Sequence, residues 1–253
     1  MHILLPLIQK LFSWLIGLFT APRSGASGWS IPKTINDVIK GVSTSVTKSA
    51  QFFAAIYETQ RNNKIAPSVT CCATSVSMVL QSLCLAVYGC TAKLPREFED
   101  IMLADLRDNL AAYRSKAATE TGLAYLGGMT FEAIREDMNF WAWYAKSKYG
   151  IICKVRFLSP AALFTEIMAG SITTPVASST ARGLTSFGHI VVFRGAYEDA
   201  TGKYFSVNDP FGTYPYGSRT NGEGVSYNLA LWKEKDKFVV FQPIEWPGKV
   251  KGA

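Results

Sequence analysis

Thr70-Cys71-Cys72-Ala73-Thr74-Ser75-Val76-Ser77-Met78-Val79-Leu80 joins a cysteine pair to a run whose apolar residues, Val76, Val79, Leu80 and Leu83, recur at helical spacing. The spacing predicts a buried helix that opens at the cysteines, with Thr70 as the small polar residue before it. The first turn of a helix holds backbone N–H groups without intrahelical acceptors, and it lies at the positive end of the helix dipole. An anion is favoured there, and a thiolate is an anion. A cysteine so placed is either an activated nucleophile or a small buried hydrophobe, since free cysteine is among the most buried residue types.

Histidine usage bears on that choice. The chain has two histidines, His2 and His189. His2 stands at the extreme N-terminus, where order is least expected, so His189 is the candidate base. It opens Phe187-Gly188-His189-Ile190-Val191-Val192-Phe193, an apolar β-branched strand signal. A second short strand, Lys203 to Val207, runs into Asn208-Asp209-Pro210-Phe211-Gly212. An acceptor at the end of a neighbouring strand can hold an imidazole in the right tautomer. Cysteine, then histidine, then Asp or Asn is the chain order of papain-like cysteine peptidases.

The chain resembles the bacteriocin-leader-processing (double-glycine peptidase-like) group of papain-like peptidases, especially relatives in phage and cell-wall-active proteins. Their Cys-x-x-Thr-Ser-x-x-Met-x-Leu pattern is matched by Cys71, Thr74, Ser75, Met78 and Leu80. Gly188-His189 matches their strand start, and residues 208 to 212 match their Asn-Asp-Pro-aromatic-Gly turn. Gln60-Arg61-Asn62-Asn63 echoes an upstream Gln-Arg-Asp-Asn segment, and Asn221, Gly222, Val225 and Tyr227 echo a downstream Asn-Gly-x-x-Val-x-Tyr. The resemblance covers residues 57 to 242. Two departures stand out: Cys72-Ala73 follows the first cysteine where many relatives have Gly-Pro or a polar residue, and Asn62 stands where relatives often carry Asp. Cys72 is the rival thiol, but only Cys71 keeps the spacing to Thr74-Ser75.

The resemblance implies an α+β, papain-like fold, with the nucleophile at a helix N-terminus packed on a mainly antiparallel sheet. It implies Cys71 as nucleophile, His189 as base and Asp209 as the group that orients the imidazole. Asn208 is the alternative, because adjacent strand residues point to opposite sides and only one of the two can face His189. Gln60 is the oxyanion donor the resemblance suggests; its plainer reading is a surface glutamine at a helix end.

At 253 residues, 48% hydrophobic and 18% charged, the chain is long and apolar enough for a large core. Its net charge of +7 suits anionic partners such as teichoic acids or anionic lipid headgroups. No nucleic-acid motif accompanies the scattered basic residues. The five cysteines, 71, 72, 84, 90 and 153, form no Cys-x-x-Cys pair and have no histidine cluster beside them, so neither a metal nor another cofactor is expected. Cys84 and Cys153 sit in apolar runs as packing residues.

Residues 3 to 20 are apolar apart from Lys10, with a narrow polar stripe of Lys10, Ser13 and Gly17. As a helix the segment spans ~27 Å, marginal against a ~30 Å hydrocarbon core. Three readings stay open: a membrane-associating helix, a helix docked on a partner such as a virion protein, and a signal peptide. Residues 21 to 34 read as a Gly/Ser/Pro linker, and residues 35 to 253 as the catalytic domain, with a helical insertion around 94 to 150.

Within that domain the periodicity predicts a helical stretch from Ile35 to Thr59, broken near Ser43 to Ser49. Stripes of Leu103, Leu106, Leu110 and Tyr113, and of Phe131, Ile134, Met138, Trp141 and Tyr144, read as core-facing helices, with a cleft role for Trp141 or Trp143 left open. Strands are expected at Ile151 to Phe157, Thr173 to Ser178 and Phe238 to Gln242. A helix capped by Ser159-Pro160 should run to Ala169, and residues 180 to 186 should form a loop at the cleft rim.

The resemblance points to a cysteine peptidase acting on peptide bonds, with peptidoglycan cross-links as substrate and a virion or secreted, envelope-facing location. Two other classes compete: a non-catalytic structural or membrane-binding virion component on the same fold, and a Cys-His-Asp acyl transferase.

Overall fold

The computed structural model describes residues 49–88, 94, 97–123, 137–180, 189–212, 221–232 and 238–245. The 3–20 segment, the 21–34 linker, Cys90, Phe131, Ile134, the 181–186 part of the rim loop and Gly188 lie outside the described residues.

In chain order the elements are β1 (Ser49–Phe52), a 3-10 turn (Gln60–Asn62), α1 (Cys71–Tyr88), α2 (Phe98–Thr121), α3 (Met138–Tyr149), β2 (Ile152–Leu158), α4 (Pro160–Met168), β3 (Val176–Thr180), β4 (His189–Asp199), β5 (Gly202–Asn208), β6 (Val225–Asn228), a second 3-10 turn (Leu229–Leu231) and β7 (Phe238–Glu245). Among the described residues seven strands form one sheet, in the order β2-β7-β3-β4-β5-β6, with β1 paired to the C-terminal half of β4. Every pairing is antiparallel. The fold is α+β, as the sequence led us to expect: the helix that opens at Cys71 packs on a sheet that is antiparallel throughout.

The apolar run at the start of β4 explains the layering. Ile190 and Val192 face a core built with α1, α2 and α3, whereas Val191 and Phe193 face a second core with Leu163, Phe164 and Ile167 of α4. A strand covered on both faces needs a continuous apolar sequence rather than an alternating one. Each fully buried side chain of this kind contributes roughly 1.5–3 kcal/mol. The first core takes Leu103, Leu106 and Leu110 of α2 and Trp141 and Tyr144 of α3. Trp141 is therefore a packing residue. Trp143 turns its indole N–H to Glu120 on α2, 2.8 Å away.

The helix punctuation follows the capping chemistry. Ser159 Oγ accepts from the Ala162 N–H at 3.1 Å, Pro160 takes the first helical position, and α4 stops at Met168. Asp137 caps α3 by accepting from Phe140 N–H at 3.1 Å, and its other oxygen accepts from Arg114 of α2 at 3.0 Å.

Two expectations need correction. Ser49 to Thr59 is not helical: Ser49–Phe52 forms β1, and residues 53–59 carry no regular structure. Strand pairing overrides the helical periodicity here, because Gly195 of β4 lets the β1 backbone approach closely. A Cβ at Gly195 would collide with the Gln51 carbonyl and the Phe52 ring. The final strand also runs past Pro243 to Glu245. Pro243 lies beyond the β3 partners of this strand, Ala177↔Phe241 and Ser178↔Val240, and stands opposite Cys153 of β2 where that register is irregular, a place that tolerates proline.

Candidate active site

Three elements deliver polar groups to one end of the sheet: Cys71 is the first residue of α1, His189 the first of β4, and Asp209 the residue just past β5. The helix start is pinned from outside. Thr74 N–H donates to the Thr70 carbonyl at 3.0 Å, which makes the first helical bond. The buried amide of Asn63 donates to Thr70 Oγ1 and to Thr74 Oγ1, at 2.9 Å each. Ser75 Oγ donates to the Ile190 carbonyl at 3.1 Å and fastens α1 beside His189. Ser75 of the cysteine motif thus ties α1 to the histidine strand, while Thr74 receives the Asn63 amide.

The β4–β5 register, with Val192 opposite Asn208 and Phe193 opposite Val207, sets the other half of the site. Side chains alternate along a strand, so His189 lies on the face of Val191 and Phe193. Asp209 continues the face of Phe205 and Val207. Nε2 of His189 and Oδ1 of Asp209 are 2.7 Å apart, and both side chains are buried. The same imidazole hydrogen-bonds the Cys71 thiol. With Nε2 committed to Asp209, the ring nitrogen left for sulfur is Nδ1. Phe211 closes one side, its ring meeting the imidazole edge-on at 6.4 Å between centroids.

Burial works against a charged imidazole here. The hydrogen bonds to Asp209 and Cys71, and the negative charge those groups contribute, outweigh burial and raise the pKa of His189 to about 10. The ring is therefore an imidazolium at neutral pH. A sulfur on the first turn of a helix, beside an imidazolium, is in the environment that favours a thiolate nucleophile, and the cation can hand its proton to a leaving group.

Asn208, the alternative partner for His189, is occupied elsewhere. Its Nδ2 donates to the Ile56 carbonyl at 2.9 Å, and its Oδ1 accepts from Gly224 N–H at 3.0 Å. Strand alternation turns it away from the imidazole, and it ties two loops together instead. Cys72 is buried in the helical core, and the thiol that meets His189 belongs to Cys71.

Gln60 is 1% exposed and opens the first 3-10 turn, so it is not the surface residue of the plainer reading. Its N–H donates to the Pro210 carbonyl at 3.0 Å, which binds this turn to the residue after Asp209. Its Nε2 donates to the Pro67 carbonyl at 2.8 Å. A primary amide carries two N–H donors, and the bond to Pro67 uses one of them.

Several supporting residues had no role in the sequence reading. The Tyr227 hydroxyl donates to Asp209 Oδ2, and Phe211 N–H donates to Oδ1 at 2.9 Å. Gly222 accepts from Asp209 N–H at 2.8 Å and lies so close that a Cβ there would collide with the Asp209 carbonyl. The Gly and Tyr of the Asn-Gly-x-x-Val-x-Tyr echo were the available signal. Glu58, two residues before Gln60, accepts from Ser77 Oγ at 3.0 Å and Gln81 Nε2 at 2.7 Å on α1. Burial, followed by a hydrogen bond to Glu58 and its charge, raises the pKa of Glu99 on α2 to about 8. No sequence pattern announces that pair.

Among the described residues, no group of three or more His, Cys, Asp or Glu side chains is arranged to hold a metal ion. No helix of the described residues is long and apolar enough to cross a membrane, and the 3–20 segment is not among them.

Fold and site together define a class, an α+β protein with a cysteine–imidazole–carboxylate line in the papain-like order. No protein-family model matches the sequence, and no curated protein matches it. Among solved structures the chain is similar to UfSP from C. elegans, at 13% sequence identity and a TM-score of 0.46, over 80% of this chain and 35% of that one. It therefore spans about a third of that protein's length.

Proposed function

We propose that the protein is a cysteine peptidase in which Cys71 is the nucleophile, His189 the general acid and base, and Asp209 the group that orients the imidazole. The observation that carries this reading is the continuous hydrogen-bonded line from the Cys71 thiol through His189 to Asp209.

The thiolate attacks the carbonyl carbon of a peptide bond, forming a C–S bond and placing the π electron pair on oxygen. The oxyanion lies where the Cys71 backbone N–H and the second Nε2 proton of Gln60 donate. One such donor contributes ~3 kcal/mol to lowering the barrier. As the C–N bond breaks, the His189 imidazolium gives its proton to the leaving amine. The neutral imidazole then takes a proton from water, whose oxygen attacks the thioester carbonyl. Expulsion of the thiolate releases the acid, and the imidazolium–thiolate pair is restored.

The sequence resemblance to phage and cell-wall-active relatives favours peptidoglycan cross-link peptides as substrate and a virion or envelope-facing setting. The net positive charge suits an anionic wall. Residues 3 to 20 would serve as the attachment to a membrane or virion partner.

The test is purified protein on isolated cell walls and on synthetic cross-bridge peptides, with Cys71→Ala as control. Hydrolysis yields fragments heavier together by one water and a new amine, and Cys71→Ala yields none. Fragments joined to an added amine would make the protein an acyl transferase. No product with either substrate, beside a Cys71 of ordinary thiol reactivity, would make it a non-catalytic component.

A further inference from the structure

The carboxylate of Asp209 is held at both oxygens. Oδ1 accepts from His189 Nε2 at 2.7 Å and from Phe211 N–H at 2.9 Å, and Oδ2 accepts from the hydroxyl of Tyr227. The Asp209 backbone is equally committed, through its N–H to Gly222 and its carbonyl from Gly212 N–H at 3.1 Å. Tyr227 itself has little freedom. It is fully buried, stands opposite Phe205 in the β5–β6 ladder, and packs in the second core with its ring 6.1 Å from that of Trp232. The hydroxyl is thus delivered to Oδ2 by the core of the sheet, from the side away from the histidine.

We propose that Tyr227 is a positioning residue for the histidine: its hydroxyl locks the Asp209 carboxylate so that Oδ1 alone faces His189, and it tempers the basicity that the carboxylate confers on the imidazole. This rests on the reading of Cys71, His189 and Asp209 as the reacting line. The physical grounds are two. A carboxylate with a vacant oxygen turns about its Cβ–Cγ bond, and the His189 bond then alternates between oxygens. A charge-assisted hydrogen bond from a hydroxyl also draws negative charge toward Oδ2, which leaves less of it at Oδ1 to hold a proton on His189. Without that donor the imidazolium is held too tightly to surrender its proton to the leaving group. With a stronger donor it is held less tightly.

The experiment uses the full chain and follows two readouts. The imidazole titration is followed by 15N NMR, in which only His2 and His189 contribute and His189→Gln assigns the signal. The second readout is kcat/KM against pH on a cross-bridge peptide. Tyr227→Phe should move the His189 midpoint upward and lower kcat/KM by about tenfold, in keeping with the loss of one hydrogen bond to a charged group. Site-specific replacement of Tyr227 by 3-fluorotyrosine keeps the shape, strengthens the donor and should move the midpoint downward. If Tyr227→Phe fails to fold, the fluorinated protein alone decides. A midpoint unchanged, or moved in the same direction by both replacements, overturns the proposal. If the protein shows no turnover but the midpoints move as stated, the positioning role stands and the peptidase reading falls.

Discussion

The imidazole of His189 and the carboxylate of Asp209 are 2.7 Å apart although 20 residues separate them in the chain. The β4–β5 register brings them together, and the interior keeps water away from both. Burying both groups carries a desolvation cost, which the hydrogen bonds from Phe211 N–H and the Tyr227 hydroxyl to the carboxylate help to offset. With the Cys71 thiol on the other side of the ring, the histidine mediates between sulfur and carboxylate. The first prediction concerns which thiol this is. Cys71→Ala and His189→Ala should each abolish hydrolysis. Cys72→Ala should keep most of it, at a stability cost of about 1 kcal/mol for a buried substitution. Steady-state turnover with urea unfolding of each variant checks this. An active Cys71→Ala beside an inactive Cys72→Ala would reverse the assignment.

A second prediction follows from the charge on the imidazole. His189 is held protonated to about pH 10 by Asp209 and Cys71, against the effect of burial. The thiol therefore has a cation beside it across the neutral range. An isolated thiol loses roughly a hundredfold in alkylation rate between pH 8.5 and pH 6. Cys71 should lose less than tenfold over that span, read with iodoacetamide and mass spectrometry. His189→Gln should restore the steep dependence. A wild-type curve as steep as that of the variant would mean that the pair does not exist in solution.

Gln60 offers a third. Its bond to Pro67 and the backbone bond from its N–H to Pro210 fix the amide beside the Asp209 turn, with one N–H proton to spare. If that proton meets the oxyanion, Gln60→Ala should lower kcat by roughly a hundredfold and change KM little, since the interaction belongs to the transition state. Gln60→Glu should be as poor, because it offers no donor when ionised. A variant that raises KM and leaves kcat intact would place Gln60 in substrate binding instead.

The parts legible in the sequence were those governed by short-range chemistry. The Cys71 helix start, the β-branched run after His189 and the Ser159-Pro160 cap each declare themselves within a few residues, and the structure has these elements at those places. The resemblance favoured Asp209 over Asn208, but the residues alone left the choice open, because it depends on strand parity fixed by where β5 pairs with β4. β1 was misread as helix because its pairing site, opened by Gly195, lies more than 140 residues downstream. Gly222 and Tyr227 were visible as letters of a pattern. Their work, closing on the backbone and carboxylate of Asp209, appears only once β6 is laid beside β5.

The last prediction concerns stability and the Glu58–Glu99 pair. Glu58 accepts from Ser77 and Gln81 of α1, and Glu99 of α2 hydrogen-bonds it from a buried position with 3% exposure. Burial first, then Glu58, raises the Glu99 carboxyl from 4.5 to about 8. Below about pH 4.5 the folded and unfolded chains both hold the Glu99 proton. Between about 4.5 and 8 the folded chain keeps a proton that the unfolded chain has lost, so stability falls as pH rises. Above about 8 both are ionised, and the contribution is gone. Glu99→Gln keeps a donor toward Glu58 and removes the titration. Its stability relative to wild type should therefore improve steadily from pH 5 to pH 8 and level off beyond. Urea unfolding at pH 5, 6.5, 8 and 9 measures this, and Glu99→Leu, which lacks the donor, should be the less stable variant at every pH. A Glu99→Gln difference that is flat across the range would show that Glu99 titrates as an ordinary carboxyl. Glu58 would then bind α1 to the Gln60 turn without sharing a proton.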